Sequence, residues 1–272
     1  MHKDSVFSCS YRRSGSGEVV VLIHGALADE RMWAAHSDLL DHDFDVIALT
    51  QRHFGVNGTT DGGAFGLNTH AEDVIQFVQG LPSRQPVHLV GWSYGADVVL
   101  NALVKQPRLC ASALLFELGY AGYLTEAEMG VFGADAKAMF GPIFSLAAVG
   151  KLAEALRTLI DGSGQQVGYF EGQTPAAQKQ QLENLHSLPK QLNQQEVPNL
   201  TMDTLPKITV PVTVAYGQET RPLFRVVSQA AVRLIPTARG VCVPEATHML
   251  PIERPDLFVK LIEEHVVGIQ GE

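Results

Sequence analysis

The sequence predicts an α/β fold: a mostly parallel, twisted sheet covered by helices on both faces, with a helical cap inserted between two strands. Three observations predict it. Short, continuous apolar runs of strand length alternate with segments of helical periodicity, the pattern of a parallel sheet buried on both faces. One such run, Val87-His88-Leu89-Val90, passes through Gly91-Trp92-Ser93-Tyr94-Gly95 directly into the apolar helical run Ala96 to Val104. The stretch 118–205 breaks the alternation, with helix signals and no convincing strand.

Taken in order, Val19 to Ile23 reads as a buried strand ending in His24-Gly25, Glu30 to Leu40 as a helix, and Asp45 to Leu49 as the next strand. Thr69 to Leu81 is helical, Val87 to Val90 is a strand, and Tyr94 to Lys105 is the helix after the Gly-Trp-Ser-Tyr-Gly turn. Ala111 to Phe116 follows as a strand. In the inserted stretch, Thr125 and Glu128 form a capping box. Leu152, Leu156, Leu159 and Ile160 make a helical stripe, and Thr174-Pro175 starts a further helix. Gln178, Gln180, Gln181, Gln191, Gln194 and Gln195 read as a solvated face. Val210 to Tyr216 and Gly240 to Val243 are strands, and Pro222 to Leu234 and Pro255 to Val266 are helices. In the last helix Leu257, Phe258, Leu261 and Ile262 share one face. The chain thus divides into a core, 1–117 and 206–272, and a cap, 118–205.

At 272 residues and 46% hydrophobic, the chain suits one large α/β domain or a core with a subdomain. A net charge of −9 argues against a nucleic-acid partner. No apolar stretch is long enough to span a bilayer, and the polar start Met1-His2-Lys3-Asp4-Ser5 lacks a signal-peptide apolar region, so no membrane partner and a cytoplasmic location are expected. Cys9, Cys110 and Cys242 form neither a disulfide framework nor a metal pattern, and Cys110 and Cys242, in apolar surroundings, are expected to be buried and reduced. Metal spacings such as His-Glu-x-x-His and phosphate-cradling glycine loops are absent, so no cofactor and no metal are expected.

The strand–turn–helix setting around Ser93 is what a Gly-x-Ser-x-Gly nucleophile needs: glycines relieve crowding at the sharp turn, which lifts the hydroxyl clear of the sheet. A serine hydroxyl is a poor nucleophile at neutral pH and needs a base with a group to orient it. Of ten histidines, His248 is the best candidate for the base, on a loop between the last strand and last helix that reaches the same sheet edge as Ser93. His88 falls inside a strand. His36, His42 and His265 read as exposed, His24 as supporting a loop, and His186 as a surface residue of the cap.

With Leu22-Ile23-His24-Gly25-Ala26, Gly91-Trp92-Ser93-Tyr94-Gly95, and Thr247-His248 followed by Pro251, Glu253, Arg254 and Pro255, the chain resembles the α/β-hydrolase superfamily over nearly its whole length. Most members carry an aspartate three residues after the glycine that ends the next-to-last strand. Here Tyr216-Gly217-Gln218-Glu219-Thr220 puts Thr220 at that position, with Glu219 one place off. A second arrangement puts the acid after the strand that follows the nucleophile helix, where this chain has Leu114-Leu115-Phe116-Glu117. A carboxylate beside such an apolar run is costly to bury unpaired, and a bond to His248 would relieve it. Glu117 is therefore favoured over Glu219, a placement similar to that of zearalenone lactonases and some haloalkane dehalogenases.

The resemblance implies an oxyanion hole from the backbone N–H groups of Tyr94 and Ala26, or Leu27 in place of Ala26. Where relatives often carry Asp-x-Arg-Gly-x-Gly, Gln51-Arg52-His53-Phe54-Gly55 reads as loop-structuring. It further implies a serine hydrolase acting through an acyl-enzyme on a small to medium apolar carboxylic ester or lactone. Leu27, Trp92, Tyr120, Tyr123, Phe140 and Phe144 are expected to line the pocket. A carbon–carbon bond hydrolase or a cofactor-free dioxygenase of the same fold is the alternative, and a non-catalytic hydrolase-like binding protein a weaker one. A Rossmann-type oxidoreductase is disfavoured, because the turn after Ile23 lacks the glycine spacing for a pyrophosphate. The expected partner is the small-molecule substrate, with a homodimer possible.

Overall fold

Seven strands assemble into one sheet in the computed structural model, which describes residues 10–56, 58, 63–82 and 85–270. They are β1 (Tyr11–Gly15), β2 (Glu18–Ile23), β3 (Phe44–Leu49), β4 (Val87–Trp92), β5 (Ser112–Phe116), β6 (Val212–Gly217) and β7 (Ala238–Val243). The order is β1-β3-β2-β4-β5-β6-β7; β1 runs antiparallel to β3, and every other pairing is parallel. Helices α1 (Ala34–Leu40), α2 (Leu67–Gly80) and α3 (Tyr94–Lys105) precede β5. Between β5 and β6 lie α4 (Glu126–Ala148), α5 (Leu152–Gly164), α6 (Tyr169–Gly172), α7 (Pro175–Glu183) and α8 (Leu188–Leu192), followed after β6 by α9 (Pro222–Leu234), α10 (Leu250–Glu253) and α11 (Pro255–Gln270).

The continuous apolar strands make sense because alternate residues enter two different cores. Val19, Val21, Ile23, Leu89, Leu115 and Val214 pack under α2, α3 and α9. Val20, Leu22, Val90, Leu114 and Phe116 pack with Trp33, Leu40 and the Phe258 and Ile262 stripe of α11. A third core belongs to the helices between β5 and β6: Met139, Ile143, Leu156, Leu159 and Phe170 meet Leu27 and Phe224, which follow β2 and β6. The insertion therefore sits against the C-terminal ends of the strands.

A polar network ties the insertion to the loop after β2. Asp29 is fully buried and accepts hydrogen bonds from Arg31, from Gln180 Nε2 at 2.8 Å and from Asn184 Nδ2 at 2.7 Å. Asn184 Oδ1 accepts from the Gly55 N–H at 2.7 Å, and Arg31 also pairs with Glu183. Burial pushes the Asp29 carboxyl up, but the bonds from Arg31 and Asn184 outweigh it and hold the pKa down at about 2.

Several expectations are corrected. β1 is an added, mostly exposed edge strand whose Tyr-Arg-Arg-Ser-Gly sequence has no apolar alternation to announce it. The expected helix from Glu30 begins as a 3-10 turn, Glu30–Trp33, because the Asp29 side chain caps the Arg31 N–H. Gln180 and Gln181 are buried rather than solvated. His36 is buried edge-on against Trp33 and Phe258. His265 is buried between Thr213 Oγ1 and Ser112 Oγ, each 2.8 Å away. Cys110 is half-buried and Cys242 exposed, because β7 is the outer strand of the sheet. Cys9 lies outside the described residues. No helix among the described residues is long and apolar enough to cross a membrane.

Candidate active site

Ser93 sits between β4 and α3 with φ of +55°, a backbone conformation that L residues rarely adopt. The turn is possible because its flanks carry no side chains. A Cβ on Gly91 would stand 2.6 Å from the Gly95 carbonyl oxygen, and one on Gly95 would run into the carbonyl oxygens of Ile23 and His24. The Ser93 N–H donates to the Phe116 carbonyl at 2.9 Å, pinning the turn to β5. The hydroxyl stands at the N-terminus of α3, where helix N–H groups favour negative charge.

His248 and Glu117 converge on it. His248 Nε2 lies 3.1 Å from Ser93 Oγ, and His248 Nδ1 lies 2.7 Å from Glu117 Oε2. A carboxylate only accepts, so Nδ1 carries the proton and the Nε2 lone pair faces the serine hydroxyl. The imidazole is held on other sides too. Phe224 stacks on it with centroids 3.9 Å apart and planes 13° apart, and Trp92 Nε1 donates to the His248 carbonyl at 2.9 Å.

Glu117 is fully buried and, like Ser93, has positive φ, +57°. Its remaining acceptor capacity is met by the Gly217 N–H at 2.7 Å and the Thr220 hydroxyl at 2.6 Å. The burial cost foreseen for this carboxylate is thus offset by three donors. Glu219 is exposed, and the Nδ1 partner is Glu117.

Opposite the imidazole runs the loop after β2. Ala26 and Leu27 line the cavity, Leu27 with φ of +54°, and among the described residues their backbone N–H groups donate to no protein acceptor. His24 braces this loop from behind. Its Nδ1–H donates to the Gly25 carbonyl at 2.8 Å, and its Nε2 accepts the Gln51 N–H at 3.1 Å. Burial pushes its pKa down to about 4, so the ring is neutral at pH 7. The Tyr94 ring points away to His70 Nδ1 at 2.7 Å, leaving the start of α3 to border the cavity. Arg52 pairs with Asp73, His53 contacts the Ala64 carbonyl, and Phe54 packs on His24.

A cavity of about 600 Å³ opens above Ser93 and His248. Leu27, Trp92 and Phe140 line it as expected. Tyr120, Tyr123 and Phe144 do not. Tyr123 is fully buried in the core under α3, Tyr120 packs against that same core, and Phe144 turns outward on α4 and is 50% exposed. Met139 of the cap lines it as well; sequence reasoning missed Leu159, Ile160 and Phe224 as lining residues, and missed the polar groups Asp97 and Gln181. The stripe through Leu159 and Ile160 was visible, but nothing in it told which helix face meets the cavity. No group of three or more His, Cys, Asp or Glu side chains among the described residues is arranged to hold a metal ion.

Comparison with known proteins agrees with this fold. The model of the alpha/beta hydrolase family matches residues 20–261. The uncharacterized hydrolase YugF of Bacillus subtilis (strain 168) is 24% identical over 269 residues, covering 96% of this chain and 93% of its own. Among solved structures, a thermophilic esterase from Thermogutta terrifontis superposes with a TM-score of 0.67 at 23% identity, covering 96% of this chain and 93% of its own. The enol-lactonase from Burkholderia xenovorans LB400 superposes with a TM-score of 0.75 at 17% identity, covering 95% and 96%.

Proposed function

The chain belongs to the alpha/beta hydrolase family, and we propose that it is a serine hydrolase that cleaves a small to medium, largely apolar carboxylic ester or lactone. The observation that carries the reading is one imidazole placed between a carboxylate at 2.7 Å and a serine hydroxyl at 3.1 Å, at the floor of a cavity. Both distances are within hydrogen-bond reach, which proton transfer requires.

In this reading Ser93 Oγ attacks the substrate carbonyl carbon as its proton passes to His248 Nε2, and the carbonyl π pair moves onto oxygen. Glu117 holds the tautomer and stabilises the imidazolium that forms. The N–H groups of Tyr94 and Ala26, with Leu27 as neighbour, receive the oxyanion. Collapse breaks the carbon–oxygen bond, and Nε2 returns the proton to the departing alcohol, leaving an acyl-serine. Water then repeats the sequence, its proton going to Nε2 and back to Ser93.

Serine at position 93 favours acyl chemistry, since an alkyl intermediate calls for a carboxylate nucleophile. The apolar lining from Leu27, Met139, Phe140, Leu159 and Phe224 favours an uncharged substrate body. The helices of 118–205 are the cap that closes this space over the core. The direct test is labelling by a fluorophosphonate, with the modified peptide mapped to Ser93, beside hydrolysis of short and medium nitrophenyl esters and lactones. Stoichiometric labelling with turnover supports the reading; an unlabelled Ser93 and an inert panel overturn it.

A further inference from the structure

Among the described residues, Asp97 is the one cavity-lining carboxylate, and the proposed chemistry leaves it unused. It lies on α3 four residues after Ser93, so about 6 Å further along the helix axis. Its side chain is 5% exposed, yet it borders the same cavity as Ser93 and His248. No cationic side chain pairs with it among the described residues. Its partners are two backbone N–H groups: Gly119 donates to Oδ1 at 3.2 Å and Oδ2 at 3.1 Å, and Tyr120 donates to Oδ1 at 3.1 Å. The phenols of Tyr120 and Tyr123 are pushed up first by burial and then by the Asp97 charge, and that of Tyr94 first by burial, then by Glu196 and Asp97.

A carboxylate offers about four acceptor sites, and two N–H groups do not fill them. A buried acid without a cation is costly, and beside the apolar side chains of Leu27, Met139 and Phe224 it stands out as a group kept for a ligand. Gly119 borders the acid. A Cβ there would sit 3.5 Å from Asp97 Oδ2 and 3.7 Å from Phe224 Cε1, over the acid and beside the ring that stacks on His248.

We propose that Asp97 is a specificity-determining residue: it receives a hydrogen-bond donor, hydroxyl or ammonium, carried by the substrate two or three atoms from the scissile carbonyl. The separation follows from the helical spacing, since such a chain plus one hydrogen bond spans about 6 Å. The inference rests on the ester or lactone hydrolase reading and narrows its substrate class to one with a donor close to the reacting carbonyl. Burial raises the Asp97 carboxyl to about 7, so near neutral pH both its forms are present, and an ammonium would draw it toward the charged one.

The test compares ethyl esters of butanoic, β-hydroxybutanoic, β-methoxybutanoic and β-aminobutanoic acids, with a parallel series carrying the donor on the alcohol part, followed by acid release. In one series the wild-type protein should prefer the hydroxyl or amino ester over its methoxy analogue by tenfold or more in kcat/KM. The two arms distinguish a neutral donor from a cation. Asp97→Asn and, independently, Gly119→Ala should lower that ratio at least threefold, whatever they do to absolute rates. A merely structural acid would leave the ratio unchanged. Equal rates for donor and methoxy esters in the wild-type protein, with Ser93 still labelled by a fluorophosphonate, overturn this inference alone. An inert panel with an unlabelled Ser93 removes the hydrolase reading and the inference together.

Discussion

Thr220 donates its hydroxyl proton to Oε2 of Glu117 at 2.6 Å, the same oxygen that receives the His248 N–H at 2.7 Å. The position where most relatives carry the acid thus holds a donor that serves a carboxylate from another strand. This predicts a transferable acid. Glu117→Gln should cut kcat by about a thousandfold or more, whereas Glu219→Gln, at an exposed site, should change it less than about twofold. Thr220→Asp alone should be damaging, because it sets a second carboxylate against Glu117. Glu117→Ala combined with Thr220→Asp should recover at least tenfold over Glu117→Ala, since the new carboxylate enters from the side that Thr220 now occupies. A double variant no better than Glu117→Ala would show that the imidazole accepts an acid from β5 only.

Two phenylalanines one turn apart on α4 give a second prediction. Phe140 borders the cavity, while Phe144, one turn on, is 50% exposed. Phe140→Ala should enlarge the acyl space and move the optimum in kcat/KM toward longer chains by about one to three methylenes. Phe144→Ala should leave the chain-length profile superimposable on that of the wild-type protein. A shift from Phe144→Ala instead would mean that the substrate reaches one turn further along α4 than the cavity described.

Asp29 supplies the third. It binds Arg31, Gln180 and Asn184 together, so it joins the loop that carries Ala26 and Leu27 to α7. Asp29→Ala should cost about 2–4 kcal/mol in denaturant unfolding, because buried donors and the Arg31 charge lose their acceptor. It should also lower kcat more than it raises KM, since a loosened loop misplaces the N–H groups proposed for the oxyanion. An equal loss of stability from Leu200→Ala, in the core under α2 and α3 and apart from that loop, should leave kcat nearly unchanged. If both variants lower kcat alike, the network acts through stability alone.

What the sequence disclosed follows the range of the forces involved. Ser93, its glycines and the strand before it are one local pattern, legible because the sharp turn restricts neighbouring residues directly. Glu117 was legible through a conflict, a carboxylate directly after apolar residues, which only a distant partner resolves. The Asp29 network was not legible, because Gln180 and Asn184 lie across the insertion and a glutamine-rich helix looks the same whether its amides meet water or a buried acid. The outward turn of Phe144 was hidden for a related reason. α4 carries glycine, alanine and apolar residues on every side, so its pattern names no inner face. β1 pairs through its backbone at an exposed edge, so its side chains carry no signal.

The buried histidines, three of which read as loop or exposed residues, give a stability profile with a definite sign. Burial pushes His24 and His36 down to about 4, and His70 and His265 down to about 3. Below the ordinary value of 6.5 the unfolded chain binds protons at these sites that the folded chain refuses, so stability must fall as pH falls from 6.5 toward 4. Each site contributes up to about 1.4 kcal/mol per pH unit in that window. Asp97 opposes them: with its carboxyl raised to about 7, the folded chain holds a proton that the unfolded chain releases above about 4, so this one site gains stability as pH falls. Asp73, also raised by burial, acts with Asp97, and His88, lowered by burial, acts with the other histidines; the five lowered histidines outnumber the two raised carboxyls, and the net effect is acid destabilisation by at most about three protons' worth of slope. Denaturant unfolding between pH 7 and 5 should show it. His36→Phe, which fits between Trp33 and Phe258, should flatten the slope by about one proton, and Asp97→Asn should steepen it by about one. A stability curve that is level or rises toward pH 5 would mean that these rings find water or charge in the folded protein, and the packing described around His36 and His265 would then be wrong.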